Sequence, residues 1–191
     1  MNTTTLTIAK RTKGAKLLKI RQERQSDYDK VYELVKMSFA TTYAEGEKPD
    51  EQDYLNEIRQ KETFIPELSL VAEKEDGTLI GQIVLYKTTI TTQNEQLTEL
   101  VLSPICVHPD YFKQGIARAM IEKAIQIAKE MGFRAVFLCG DSKIYEKMGF
   151  TPSYHYNIFH KNDESKTADW SMVRELYSGA LVGISGIVDT L

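Results

Sequence analysis

The chain has 191 residues, 42% hydrophobic and 27% charged, with a net charge of −3 at neutral pH. That length suits one domain with a substantial core, the composition is that of a globular protein, and the negative balance argues against general nucleic-acid binding, which wants a basic face. The two cysteines, Cys106 and Cys139, sit in apolar runs without other ligand residues nearby, which argues against a disulfide framework or zinc site and fits a reducing cytoplasm.

In chain order, the first residues, MNTTTLTIAKRTKGAK, are Thr-rich and basic with no acid. A transit peptide and a frayed leader share that composition; we read residues 1–15 as a flexible leader and 16–191 as a single domain. Lys16–Glu23 reads as a first strand. Ser26 is placed to cap a helix whose apolar residues Val31, Leu34, Val35 and Met37 share one face. After a loop with Gly46 and Pro49, Asp50 is placed to cap a second helix to about Lys61, with Tyr54, Leu55 and Ile58 on one face.

Two β-rich runs then flank Asp76-Gly77, a strong hairpin signal. A third strand, Leu97–Val107, contains Pro104, which cannot donate to a ladder. The strand is bulged or unpaired there, or lies at an edge.

From Gly115 to Met131 apolar residues recur at steps of three and four, and Gly132 stops the helix. A short strand, RAVFLCG, and a short helix, SKIYEKMGF, follow. Asp141 is placed as the N-cap of that helix. The tail beyond Phe150 is β-rich and aromatic, and its most apolar stretch, GALVGISGIV, is too short to cross a bilayer. The order predicts an α/β (mixed α+β) fold, a mixed sheet flanked by helices, with the strands around the Gly115 helix parallel and adjacent.

The stretch HPDYFKQGIARAM joins a strand to that helix. First-turn amides have no intrahelical acceptor, and the helix dipole adds positive charge. Gly115 and Ala117 clear space for a pyrophosphate, and Lys113 and Arg118 add cations at the same rim. A plain strand-to-helix turn explains the same glycine. Pro104 leaves backbone groups of Ile105, Cys106 and Val107 partly free, so an amide-bearing ligand such as pantetheine could pair there as a pseudo-strand.

The run LSPICVHPDYFKQGIARAMIEKAIQIAKEMGF, followed by VFLCGDSKIYEKMGF, resembles the cofactor-binding core of the GNAT superfamily of N-acetyltransferases. Val107, Pro109, Tyr111, Gly115 and Ala117 match the V-x-P-x-Y-[QR]-x-x-G-x-[GA] pattern, and Tyr145–Phe150 match a later Y-E-K-x-G-F. Phe112 departs from the usual Gln or Arg, which puts that side chain's contribution in doubt and leaves the amides. The GD-x-x-x-Y spacing and the tail MVRELYSGALVGISG resemble a bacterial, uncharacterised subgroup in which Trp170–Leu176 is a late strand, although periodicity alone also allows a helix.

The resemblance implies a GNAT-like acyl-CoA N-acyltransferase fold, with a bulged strand splayed from its parallel neighbour. It implies direct transfer of acetyl from acetyl-CoA, as cosubstrate and without a metal, to a primary amine in a ternary complex. An amide among Ile105, Cys106 and Val107 would polarise the thioester. The amides of Lys113, Gln114, Gly115, Ile116, Ala117 and Arg118 would hold the pyrophosphate. Tyr145 would be the general acid; a core aromatic is the bland alternative.

No base is named. Glu99 is a weak candidate, Asp141 is better explained as a cap, and His108 as a solvated loop residue. A covalent acetyl-cysteine on Cys106 or Cys139 is weaker than their reading as small hydrophobes. The family's acceptor walls would be the acidic stretch Phe39–Asp53, with Glu45, Glu47, Asp50, Glu51 and Asp53, and the aromatic stretch Pro152–Trp170, with Tyr154, His155, Tyr156, Phe159 and His160. A cationic amine would suit them; so would a solvated acidic helix start. The expected acceptor is a small-molecule amine. A protein or peptide N-acetyltransferase and a non-catalytic CoA-binding regulatory module are the alternatives, and a homodimer stays open.

Overall fold

The computed structural model describes residues 18–44 and 47–190. The leader, Lys16, Glu45 and Gly46 fall outside the described residues. The elements run β1 (Leu18–Gln22), α1 (Tyr28–Phe39), α2 (Glu51–Ile58), β2 (Phe64–Lys74), β3 (Leu79–Thr91), β4 (Gln96–Val107), α3 (Ile116–Glu130), β5 (Ala135–Cys139), α4 (Ser142–Tyr145), β6 (Thr151–Pro152), β7 (Ile158–His160), β8 (Ser171–Glu175) and β9 (Gly186–Asp189). They form a mixed α/β structure of two compact units. One comprises the described residues up to Val84 with Pro104–Ala124, the other Leu85–Ser103 with the described residues from Ile125 on.

In the first unit β1, β2, β3 and β4 are neighbours in that order. β1 runs antiparallel to β2, Leu18 opposite Lys74 and Gln22 opposite Leu70. The Asp76-Gly77 turn joins β2 to β3 as expected. The first helix departs from expectation at its start. Ser26 lies inside a 3₁₀ turn, Gln25–Asp27, and the helix opens behind Asp27. The Asp27 carboxylate accepts from the Arg24 amide at 2.8 Å and pairs with Arg21 at 2.6 Å, which draws the turn one residue past Ser26. Arg21 also holds the Asp27 carboxyl below its usual range. Met37 is 42% exposed rather than buried. Its neighbour Ser38 takes the inward position, with its hydroxyl bonded back to the Leu34 carbonyl at 2.7 Å.

A buried ion pair fastens α2 to the sheet. Arg59, just past α2, pairs with Glu23, just past β1, and both side chains are 1% exposed. Ser69 donates to the same carboxylate at 2.7 Å, Asn56 accepts from Arg59 at 2.6 Å, and the Arg59 guanidinium lies 4.0 Å from the centre of the Tyr28 ring. Removing one partner strands the other charge in a low-dielectric interior.

The second unit orders its strands β3-β4-β5-β8-β6, with β9 on β3 and β7 on β9. β4 and β5 are parallel, as expected, but paired only at Leu100–Val136 and Val101–Phe137. On its other side β5 pairs with β8 along its whole length, from Ala135–Glu175 to Cys139–Ser171. The parallel partner thus splays away while β5 runs on. The segment near Trp170–Leu176 is a strand. The core gathers Ile90, Leu97, Ala135, Phe137, Ile158, Val173, Leu181 and Val188.

His160 is 2% exposed, in a T-shaped contact with the Trp170 ring at 4.9 Å. Its Nδ1 accepts from the Asn162 amide at 3.1 Å, so the ring proton sits on Nε2, 2.9 Å from Thr190 Oγ1. Burial lowers its pKa below 6.5.

Two outcomes follow from these buried groups. Glu23→Leu should cost about 3–5 kcal/mol in urea unfolding, because Arg59 is left unpaired. For His160, the unfolded chain takes up a proton near pH 6.5 while the folded ring resists it. Its stabilisation is therefore complete above that pH and is lost as pH falls. The melting temperature should drop between pH 7 and 5, and His160→Gln should drop less over the same range.

Candidate active site

The first unit carries the strand-to-helix loop. The His108 amide donates to the Ile80 carbonyl at 2.9 Å. Pro109 opens a 3₁₀ turn, Pro109–Tyr111, and the His108 ring accepts from the Asp110 amide at 3.2 Å. The chain then passes through Phe112 in extended conformation, its ring 48% exposed. Lys113 and Gly115 both adopt left-handed backbone, with φ of 61° and 80°, before α3 begins at Ile116. For Lys113 that conformation is strained, the kind found at ligand-binding turns.

A Cβ placed on Gly115 would meet nothing within 4 Å. Gly115 is thus needed for its φ and for the open space over its backbone, rather than to relieve a clash with the protein. Phe112 to Gly115 are all exposed, while the Ile116 side chain points into the core. Left-handed turns leading into a helix aim successive amides at one point and suit an anion. Lys74 was not legible as part of this loop, lying 37 residues before Tyr111. Its Nζ sits 5.8 Å from the centre of the Tyr111 ring and 2.9 Å from Asp76, which puts a paired cation against the 3₁₀ turn that leads into the loop. A groove of about 690 Å³, lined by Asp29, Glu33, Leu34, Met37, Leu79 and His108 among others, runs along α1 in the same unit.

Of the strand residues before the loop, Cys106 and Val107 are buried and Ile105 is partly so. Burial pushes the Cys106 thiol up to about 12, with the Ser38 hydroxyl and the Gln82 backbone opposing. Such a thiol is not a nucleophile at neutral pH.

The second unit carries Tyr145. Asp141 caps α4 as expected, its carboxylate accepting from the Lys143 amide at 2.9 Å. The Tyr145 amide donates to the Asp141 carbonyl at 3.2 Å, and the ring stands edge-on to Phe150 at 5.8 Å. Burial alone raises the phenol's pKa, so it stays protonated at neutral pH. Glu99 is committed elsewhere. It is 1% exposed, accepts from the Arg134 and Ala135 amides at 2.9 and 3.1 Å, and pairs with Arg134 Nε at 3.1 Å. Burial raises its pKa while those donors oppose it. Cys139 is exposed rather than buried in the core, with its sulfur 3.2 Å from the Thr190 hydroxyl.

The two stretches proposed as acceptor walls are partly engaged already. Tyr43 donates to Glu51 at 3.0 Å and Tyr32 to Asp53 at 2.9 Å. Hydrogen bonding to Glu51 pushes the Tyr43 phenol up to about 12. In the aromatic stretch the Tyr154 and His155 rings lie 4.3 Å apart, while His160 is buried in the core. Among the described residues no cluster of His, Cys, Asp or Glu could hold a metal ion, and no helix is long and apolar enough to cross a membrane.

Comparison with known proteins places these features in context. YhbS of Escherichia coli, an uncharacterized N-acetyltransferase, is 29% identical over 122 residues, 64% of this chain and 71% of the relative. YjhQ, another from the same organism, is 29% identical over 102 residues, 53% of this chain and 56% of that protein. The crystal structure of YhbS in complex with CoA superposes with a TM-score of 0.78 at 26% identity, covering 94% of this chain and 93% of that one. A GNAT-family acetyltransferase from Brucella melitensis, in complex with acetyl-CoA, shares the fold at 21% identity and a TM-score of 0.67, covering 90% and 94%. The family model for the GNAT acetyltransferase domain matches residues 19–153, from β1 past the end of β6, and the chain belongs to that family.

Proposed function

We propose that this protein transfers the acetyl group of acetyl-CoA to a primary amine, directly and within a ternary complex. The observation that carries the reading is the loop after β4, where Lys113 and Gly115 turn left-handed ahead of α3 and the space over Gly115 is open. Kinship with a protein crystallised with CoA supports it.

In this reading the amides from Lys113 to Arg118 hold the pyrophosphate, helped by the α3 dipole. An amide among Ile105, Cys106 and Val107 donates to the thioester oxygen as negative charge gathers there. The amine nitrogen bonds to the carbonyl carbon, the carbon–sulfur bond breaks, and Tyr145 gives its proton to the departing thiolate. The amine's own proton passes to water, since Glu99 is held by Arg134 and Ala135. Residues 16–191 act as one catalytic domain in the cytoplasm, and a small-molecule amine is the favoured acceptor, ahead of a peptide amine.

At CoA concentrations near 100 times Kd, the wild-type melting temperature should rise by about 5–10 °C. Gly115→Val should abolish that rise, since a β-branched residue resists a φ of 80°, while Phe112→Ala should barely change it. Absence of any rise in the wild type would sink the cofactor reading. In a thiol-release assay with a panel of amines, Tyr145→Phe should lower kcat by about 10²-fold or more and leave CoA stabilisation intact. An unchanged kcat would remove Tyr145 from the mechanism.

A further inference from the structure

Gly140 closes β5, and the chain returns over it within five residues. Asp141 caps the turn, and the Tyr145 amide bonds to the Asp141 carbonyl. The returning ring presses on the glycine. A Cβ at Gly140 would lie 2.5 Å from Tyr145 Cε2, 3.0 Å from Cδ2 and 3.5 Å from Leu138 Cδ1. The Gly140 backbone cannot easily retreat, because its amide donates to the Trp170 carbonyl at 2.9 Å. The ring also stands nearly perpendicular to that of Phe150, centroids 5.8 Å apart. Among the described residues the Tyr145 hydroxyl has no hydrogen-bond partner, so ring packing alone sets its direction.

We propose that Gly140 is a positioning residue for Tyr145, its missing side chain leaving the space in which the phenol is aimed. The inference rests on the proposed role of Tyr145 as the acid. It also gives the GD-x-x-x-Y spacing a mechanical meaning: Gly clears the ring's seat and Asp caps the turn that brings the ring back. An alanine methyl would have to push the ring by about 1 Å, the gap between 2.5 Å and ordinary contact at 3.4 Å. A misplacement of that size costs about 10²-fold in rate.

The test compares wild type, Gly140→Ala, Tyr145→Phe and the double variant in acetyl transfer from acetyl-CoA. The probes are putrescine, L-lysine, L-alaninamide and benzylamine, with kinetics taken on whichever the wild type turns over fastest. Gly140→Ala should lower kcat by about 10²-fold, with the KM for acetyl-CoA and the CoA-induced rise in melting temperature unchanged. In the Tyr145→Phe background the same substitution should cost nothing further, since no acid remains to be misplaced. A wild-type kcat in Gly140→Ala overturns the inference, and so does an equal loss in both backgrounds; either leaves the role of Tyr145 standing. A wild-type kcat in Tyr145→Phe, or no turnover of any probe by the wild type, overturns both. Should Gly140→Ala fail to fold, Tyr145→Leu in the same chain removes the ring. Restored stability then assigns the defect to this contact, and its absence overturns the inference.

Discussion

Two residue pairs, Leu100 with Val136 and Val101 with Phe137, join β4 to β5, and the arrangement of both strands follows from how soon that pairing ends. Backbone amides inside a protein need partners. β5 finds its own in β8, along its full length. β4 runs on to Pro104, which has no amide to donate. Glu99 fixes where the contact begins, because its buried carboxylate gathers the Arg134 and Ala135 amides at the head of β5. A carboxylate on this strand invites reading as a base. Its hydrogen bonds make it instead a clamp between two strands that touch briefly.

Several other buried polar groups have the same character. Glu23 and Arg59 join the ends of β1 and α2 through a pair that Ser69 and Asn56 complete. His160, with Thr190 on one nitrogen and the Asn162 amide on the other, fastens β7 to the C-terminal strand region. Each group is buried with a partner on every nitrogen or oxygen of its side chain, the condition under which a polar side chain can be tolerated in a core. Tyr145 differs: its ring is packed and its hydroxyl is left over.

Much of the element order was legible because its signals are local. The α3 stripe, the Asp76-Gly77 turn and the Asp141 cap depend on residues within one or two turns of each other. Most of the misreadings turned on contacts with distant residues. Ser26 falls inside a 3₁₀ turn because Arg21, on β1, holds the Asp27 carboxylate, and Asp27 stands at the head of α1 without a side-chain capping bond. Met37 is the local exception: the buried face runs Val31, Leu34, Val35 and Ser38, and Met37 falls outside that period. The fate of Glu99 depends on amides 35 residues away, and Lys74 reaches Tyr111 only through the hairpin.

By itself, then, the sequence determined the succession of strands and helices, the loop that opens α3, and the motif that marks the family, since periodicity, turn chemistry and glycine placement are properties of neighbouring residues. Tertiary structure alone decided which acids are engaged, that Gly115 matters for its backbone angle and open surroundings, and that Gly140 lies beneath the Tyr145 ring. Burial and contact distances decide these, and the GD-x-x-x-Y spacing takes on its mechanical meaning only once the Tyr145 ring is seen over the glycine.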